Sequence, residues 1–230
     1  MANKGEAGLL SVGSDRSPSR AREDYVKAIY QLGRGLPVRA ADVARYLRVS
    51  RVAVSKAKRQ LENDGLIAAG PTRAQPLALT KRGRTLAIAM VRRHRLLETF
   101  LHSALHVPLE RIHAEAERIE HVISDDVALR IAALLDRPKY DPHGHAIPYG
   151  DDAVVPDAPS LADCSAGARV RVASLDDRDE AAVAALASAG ILPGVALRVE
   201  ANAGSSLKLR CGKRAITLRR RYAAMVRVGA

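Results

Sequence analysis

The chain has 230 residues, 47% of them apolar, which is enough to bury one good core and a second smaller one, so at least two domains are expected. With one phenylalanine, six tyrosines and no tryptophan, that core must be built from Leu, Val, Ile and Ala. Cys164 and Cys211 have neither disulfide-framework nor metal spacing, no window approaches the roughly 18 apolar residues that span a bilayer, and the start lacks a signal-peptide core; a soluble cytoplasmic protein is expected.

The net charge of +12 is unevenly spread. Residues 16–95 hold 19 Lys/Arg against 5 Asp/Glu, residues 96–160 hold 5 against 12, and residues 161–230 hold 12 against 6. The first segment suits a polyanion and the second a cation.

Residues 1–18, rich in Gly and Ser, carry no period and read as a mobile tail. Tyr25, Val26, Ile29, Tyr30 and Leu32 recur at helical spacing up to Gly33, predicting a first helix over 19–33 that carries Asp24. A short amphipathic helix over 38–47 turns inward Val43, Ala44 and Leu47, and Ser50 caps a second helix from Arg51 to about Asn63. That helix is expected to bury Val52, Val54, Ala57 and Leu61 and to present Ser50, Arg51, Ala53, Lys56, Arg59 and Gln60. Two apolar runs, 66–69 and 76–79, flank a basic hairpin tip at Arg73. Helix-turn-helix followed by hairpin is a winged helix, suited by its charge to DNA; a protein-interaction module of the same shape is the other reading.

A long helix from Thr80 to about Leu105 places His94 and Glu98 at i, i+4, and Pro108 opens a helix with His113. On it Glu117, Glu120 and His121 stand at i, i+3 and i+4, so they are expected on one face. Two carboxylates and an imidazole repel unless a cation, a proton or an arginine lies between them, although the spacing alone also fits a solvated helix face. Ser124 caps a further helix to Leu135. The apolar positions Leu96, Leu97, Phe100, Ile112, Ile119, Val122, Val127, Ile131 and Leu134 exceed the needs of a helical hairpin and predict a dimer interface. Prolines 138, 142, 148, 156 and 159 mark a stiff linker, after which five period-two runs separated by glycines predict a small β-barrel with a helix at about 179–189.

In this order the elements resemble the diphtheria-toxin-repressor family of metal-dependent transcriptional repressors, over residues 19–229. The likeness is carried by Glu23-Asp-Tyr-Val-Lys-Ala-Ile-Tyr30, Asp64-Gly-Leu-Ile67, Arg92-Arg-His-Arg-Leu-Leu-Glu98, Ile119-Glu-His-Val-Ile-Ser-Asp125 and Asp141-Pro-His-Gly-His-Ala-Ile-Pro148. It implies a mainly α protein with β: a winged helix at 19–91, a helical metal-binding and dimerisation domain at 92–140, a Pro-rich linker at 141–160 and an SH3-like, FeoA-like barrel at 161–230.

The resemblance further implies two metal sites per subunit. The primary one takes Asp24, Glu117, Glu120 and His121; iron-type members have methionine and cysteine where Asp24 and Glu117 stand, and manganese-type members have carboxylates, as here. Hard oxygen donors suit Mn(II), with Fe(II) or zinc as the alternative effector. The ancillary site takes His94, Glu98 and His113, completed from the barrel by Asp177 and Glu180. Two-domain manganese members carry a glutamate one turn after Asp24; Lys27 stands there, which favours two separate sites over a bridged pair.

By the same likeness, metal draws Asp24 onto its cluster, fixes the first helix and so spaces the recognition helices of a homodimer for a palindromic double-stranded operator. Ser50, Arg51, Arg59 and Arg73 are then expected at phosphates, Lys56 at a base edge, and Val52 and Ala53 at thymine methyls. Changing Asp24 or Glu120 to Ala is expected to abolish the metal response while leaving the fold intact. The sequence has no His-Glu-x-x-His, nucleotide loop or nucleophile elbow, so an enzyme is not expected.

Overall fold

The computed structural model of the protein describes residues 19–33, 36–70, 72, 75–150 and 158–229. The expected tail and the wing residue Arg73 lie outside them.

Helix α1, Arg20–Gly33, buries Val26, Ala28, Ile29 and Tyr30. Helix α2, Ala40–Leu47, ends with Arg48 in the left-handed region, at φ 54°, and after that turn the Ser50 hydroxyl accepts the Ala53 N–H to start α3, Arg51–Asn63. Their apolar faces close on Leu66, Ile67 and Leu77 of the wing in a first core. The wing is thin: among the described residues it is joined by isolated bridges between Val38 and Leu77 and between Ile67 and Leu79, with the Ala68 N–H donating to the Ala78 carbonyl. Val52 departs from its expected inward place and is 79% exposed. Val54, Ala57 and Leu61 set the buried stripe at i, i+3 and i+7, and Val52 lies two residues, roughly 200°, round the helix from it.

Helix α4, Lys81–Ser103, starts at the cap Thr80 and spans about 34 Å. Its first turn presses on the wing: a Cβ on Gly83 would stand 1.9 Å from the Leu66 carbonyl oxygen, so only glycine fits. Ala87, Ile88 and Val91 belong to the first core, whereas Leu96, Leu97 and Leu101 pack against α5, Leu109–Ile119, and α6, Asp125–Leu134. One continuous helix therefore joins the winged helix to the helical region. Of the apolar residues in surplus, Leu96, Leu97 and Ile112 are used within the protomer, while Val122, Val127 and Leu134 remain exposed.

The segment expected as linker behaves differently over 141–150. Asp141 accepts the N–H groups of His143 and His145, Arg95 of α4 donates to the Ala146 carbonyl, and Leu175 N donates to the His143 carbonyl. Gly144, at φ 90°, permits this: a Cβ there would lie 2.1 Å from the Ala173 carbonyl oxygen. The turn is thus clamped between α4 and the third core.

That core is a five-stranded antiparallel sheet of order β4-β3-β2-β1-β5. Its strands are β1, Arg169–Leu175; β2, Ala196–Ala203; β3, Ser206–Cys211; β4, Arg214–Arg219; and β5, Val226–Gly229. Alternating residues such as Val199, Leu207 and Leu209 fill the inside together with Leu186 of α7, Glu180–Ser188, and Ala223 of the short α8, Arg220–Ala223. Helix α7 packs on α5 and so seats the barrel on the helical region. Among the described residues no helix is long and apolar enough to cross a membrane.

Candidate functional site

His94 lies mid-way along α4, 3% exposed, with a cluster of titratable groups on each side of its ring. On the Nε2 side stands Glu98, one turn on and fully buried, with Oε1 3.0 Å from His94 Nε2. His113 comes from α5, its Nδ1 3.1 Å from His94 Nε2 and 3.2 Å from Glu98 Oε1. Asp177, in the loop between β1 and α7, brings Oδ2 to 3.4 Å from His113 Nδ1. Candidate ligand atoms of these four residues lie within 4.8 Å of one another.

The sequence reading missed His143. Its Nδ1 stands 3.6 Å from Glu98 Oε1 and 3.8 Å from Asp177 Oδ2. Its Nε2–H donates to the Leu109 carbonyl at 3.1 Å, which leaves the Nδ1 lone pair for the cluster. Glu98 Oε2 and His143 Nδ1 are both buried without a hydrogen-bond partner, and buried polar atoms in that condition call for a ligand. Nitrogen and oxygen donors converging from α4, α5, the 141–147 turn and the barrel fit a divalent cation. Glu180, expected to join Asp177, is exposed in the first turn of α7 and is not among the convergent donors.

The charge states here are held by protons. Burial pulls the His113 imidazole down, but Asp177 and Glu98 outweigh it and raise its pKa to about 11. Burial pushes the Asp177 and Glu98 carboxyls up, and the surrounding imidazoles more than reverse this, holding both below their ordinary values.

On the Nδ1 side of His94 lies the second cluster, between α1 and the end of α5. Helix α5 ends at Ile119, but its C-cap Glu120 keeps helical φ and ψ and donates its N–H to the Ala116 carbonyl, so Glu117 and Glu120 keep their i, i+3 relation and, with His121 in the following turn, line one cleft. Facing α1, candidate ligand atoms of Asp24, Glu120 and His121 lie within 4.8 Å of one another. Glu117 stays out, its side chain 55% exposed and its Oε1 3.5 Å from His113 Nε2. His121 is held from both sides by α1, with Nδ1 2.7 Å from Glu23 and Nε2 3.0 Å from Asp24; Glu23 also escaped the sequence reading.

A cation is already present among these groups. Lys27, 7% exposed, sets its Nζ 2.8 Å from each oxygen of Glu120 and 3.2 Å from His94 Nδ1. Burial would raise the Glu120 carboxyl, but His94 and Lys27 overcome it and hold it at about 2. Burial dominates at Asp24 and lifts its carboxyl above the ordinary range, Glu120 adding to the rise and His121 and Lys27 opposing it. Of the expected set, Asp24, Glu120 and His121 are brought together and Glu117 lies outside that group, while all four line one cleft.

Both clusters border one cleft of about 850 Å³, shared by α1, α2, α5 and the barrel loop 176–180. Arg178, next to Asp177, stacks on the Tyr46 ring of α2 at 4.4 Å, and the Tyr46 hydroxyl donates to Gln31 of α1 at 2.7 Å. Outside the cleft lining, α3 presents Arg51, Val52, Lys56 and Arg59 to solvent, with Ala53 half-buried and Ser50 at the cap. Lys58 ties α3 to the wing through the Thr72 carbonyl.

A winged helix joined to a buried centre of carboxylates and imidazoles defines a metal-responsive DNA-binding protein. Residues 80–149 match the iron-dependent repressor metal-binding and dimerisation domain, and residues 160–229 match the FeoA domain. The iron-dependent repressor IdeR of Mycobacterium leprae is 34% identical over 223 residues, covering 90% of this chain and 95% of that one. The diphtheria toxin repressor of Corynebacterium diphtheriae is 37% identical over 131 residues, 56% of this chain and 57% of that one. A solved manganese-dependent transcriptional repressor in complex with manganese superposes with a TM-score of 0.82 at 34% identity, covering 91% of this chain and 99% of the other. The chain belongs to the diphtheria-toxin-repressor family of metal-dependent transcriptional repressors.

Proposed function

We propose that the chain is a manganese-responsive repressor that docks as a homodimer on a palindromic operator and silences genes of metal uptake. The observation that carries the reading is the centre around Glu98, where His94, Glu98, His113, His143 and Asp177 offer only nitrogen and oxygen donors and two of the donor atoms lack partners. Sulfur plays no part, since Cys164 and Cys211 pack against the barrel core. The carboxylates of Glu98 and Asp177 suit Mn(II), the three imidazoles suit Fe(II) and Zn(II), and the lack of a thiolate disfavours softer ions. The solved manganese-dependent repressor supports manganese, and the IdeR sequences, at the same 34% identity, support iron as the second reading.

A divalent ion at this centre supplies the positive charge that protons on the imidazoles otherwise supply. The residues that hold it come from four parts of the chain, so filling the centre joins α4, α5, the 141–147 turn and the barrel loop. Asp177 then fixes its neighbour Arg178, whose guanidinium rests on Tyr46 of α2, and α2 packs on α3. The orientation of α3 thereby depends on the loop that carries Asp177. Metal shifts DNA binding only by its difference in affinity for the competent and incompetent arrangements. Val122, Val127 and Leu134, exposed on and beside α6, supply the apolar surface for the second copy.

The test is fluorescence anisotropy of metal-stripped protein on a duplex from its own upstream region, titrated anaerobically with Mn(II), Fe(II) and Zn(II). Tight binding that appears with Mn(II) is the expected result. Response to Fe(II) alone moves the protein to the iron reading, and equal binding in chelator overturns metal control. Lys56→Ala is expected to weaken the metal-loaded complex by about 1–3 kcal/mol, as for loss of a base contact.

A further inference from the structure

Among the groups around His94, one cation is part of the chain. The Lys27 ammonium takes both oxygens of Glu120 at 2.8 Å each, which are the same lone pairs a metal ion bound by Asp24, Glu120 and His121 would need. It reaches them from α1, three residues after Asp24, so the helix that offers the carboxylate to that cluster also delivers a positive charge into it. Lys27 is 7% exposed, its Nζ contacts Glu120 and His94, and with Asp24, Glu120 and His121 it lines the cleft between α1 and α5. A divalent ion placed among Asp24, Glu120 and His121 would face that ammonium at close range and would have to expel it.

We propose that Lys27 is the resident cation of this cluster, so that the cluster is closed to metal and each protomer binds a single divalent ion, at the Glu98 centre. This rests on the reading of the Glu98 centre as a metal site. Its consequence is that α1 is held to the end of α5 whatever the metal supply, through Lys27 with Glu120 and through Glu23 and Asp24 with His121. Metal control then passes through the barrel loop at Asp177 instead of through Asp24.

The experiment is a count of Mn(II) bound per protomer of the full chain, by equilibrium dialysis followed by elemental analysis, for the native protein and for Lys27→Ala, Asp24→Asn and Glu98→Gln. The expected result is one ion for the native protein, one for Asp24→Asn with affinity changed less than threefold, none for Glu98→Gln, and two for Lys27→Ala, whose cluster has lost its internal cation. Two ions on the native protein, with one lost in Asp24→Asn, overturn the proposal and leave the Glu98 centre standing. No ion on the native protein overturns both, as does a single ion that survives Glu98→Gln and vanishes in Asp24→Asn. One ion on a folded Lys27→Ala refutes the role of the lysine. If that variant fails to fold, the counts on the native protein and on Asp24→Asn, which keeps the side chain's shape, decide.

Discussion

The two clusters share the ring of His94 and have nearly the same inventory of carboxylates and imidazoles, yet they are neutralised in different ways. Around Glu98 the positive charge is carried by imidazolium protons, which leave when something better arrives; around Glu120 it is carried by the Lys27 ammonium on a covalent stem. The first arrangement is exchangeable and keeps two donor atoms unpartnered. In the second, both oxygens of Glu120 are already taken. A donor inventory alone therefore does not define a metal site: what already balances its charge, and whether that can leave, decides.

The contrast is broken most directly by removing one member of the fixed pair. Glu120→Ala leaves the Lys27 ammonium buried without its carboxylate, and the expected loss is about 3–5 kcal/mol in urea unfolding of the metal-free protein. This differs from the expectation drawn from the sequence, that Glu120 can be removed with the fold intact. The paired change of Lys27→Met with Glu120→Gln removes both charges together and should recover most of the loss, within about 1–2 kcal/mol of the native protein. Equal destabilisation by the single and paired changes would show that the ion pair does not hold α1.

Acid titration separates the two regions again. The Glu120 carboxyl is held at about 2 against an ordinary 4.5, so its contribution is fully present above pH 4.5 and is lost as the pH falls toward 2. That shift corresponds to about 3 kcal/mol. His113 is displaced the other way, to about 11, so its contribution is present below pH 6.5 and is lost as the pH rises toward 11. Metal-free protein should accordingly weaken at both ends, and the paired Lys27→Met, Glu120→Gln protein should lose part of the acid limb while retaining the alkaline one. An unchanged acid limb in the paired variant would show that Glu120 is not what the acid attacks.

How much of this the sequence reveals varies with the distance over which the information acts. The cap at Ser50, the inward stripe of α3 and the five alternating runs are local patterns; they place α3 and each strand, although Val52 of that stripe is exposed and β1 and β2 run three and four residues past the predicted runs. The pair His94 and Glu98 is equally local. How the end of α5 meets α1 is not local: Glu117, Glu120 and His121 read as one face, and only the packing of that end on α1 brings Glu120 and His121, without Glu117, to Asp24. Lys27 stands out in the sequence as a departure from the family pattern, but its reach to Glu120, 93 positions away, depends on how α1 crosses α4. His143 sits in a Pro-rich stretch without period, and only the turn stapled by Asp141 carries it to Glu98.

The smallest expected effect sharpens the comparison furthest, because it reads the exchangeable protons themselves. With a pKa of about 11, His113 is protonated at pH 7, and Nδ1 must be free to ligate, so binding of Mn(II) must expel at least that proton. Calorimetry in buffers of differing ionisation enthalpy should detect at least one proton released per ion, and the apparent affinity should rise about tenfold per pH unit between pH 6 and 8. Lys27 cannot take part in that exchange if its ammonium stays on Glu120, so Lys27→Ala should release the same number of protons from the Glu98 centre. Mn(II) binding without proton release would mean that His113 already offers a free lone pair, and that the two clusters do not differ in the way their charges are balanced.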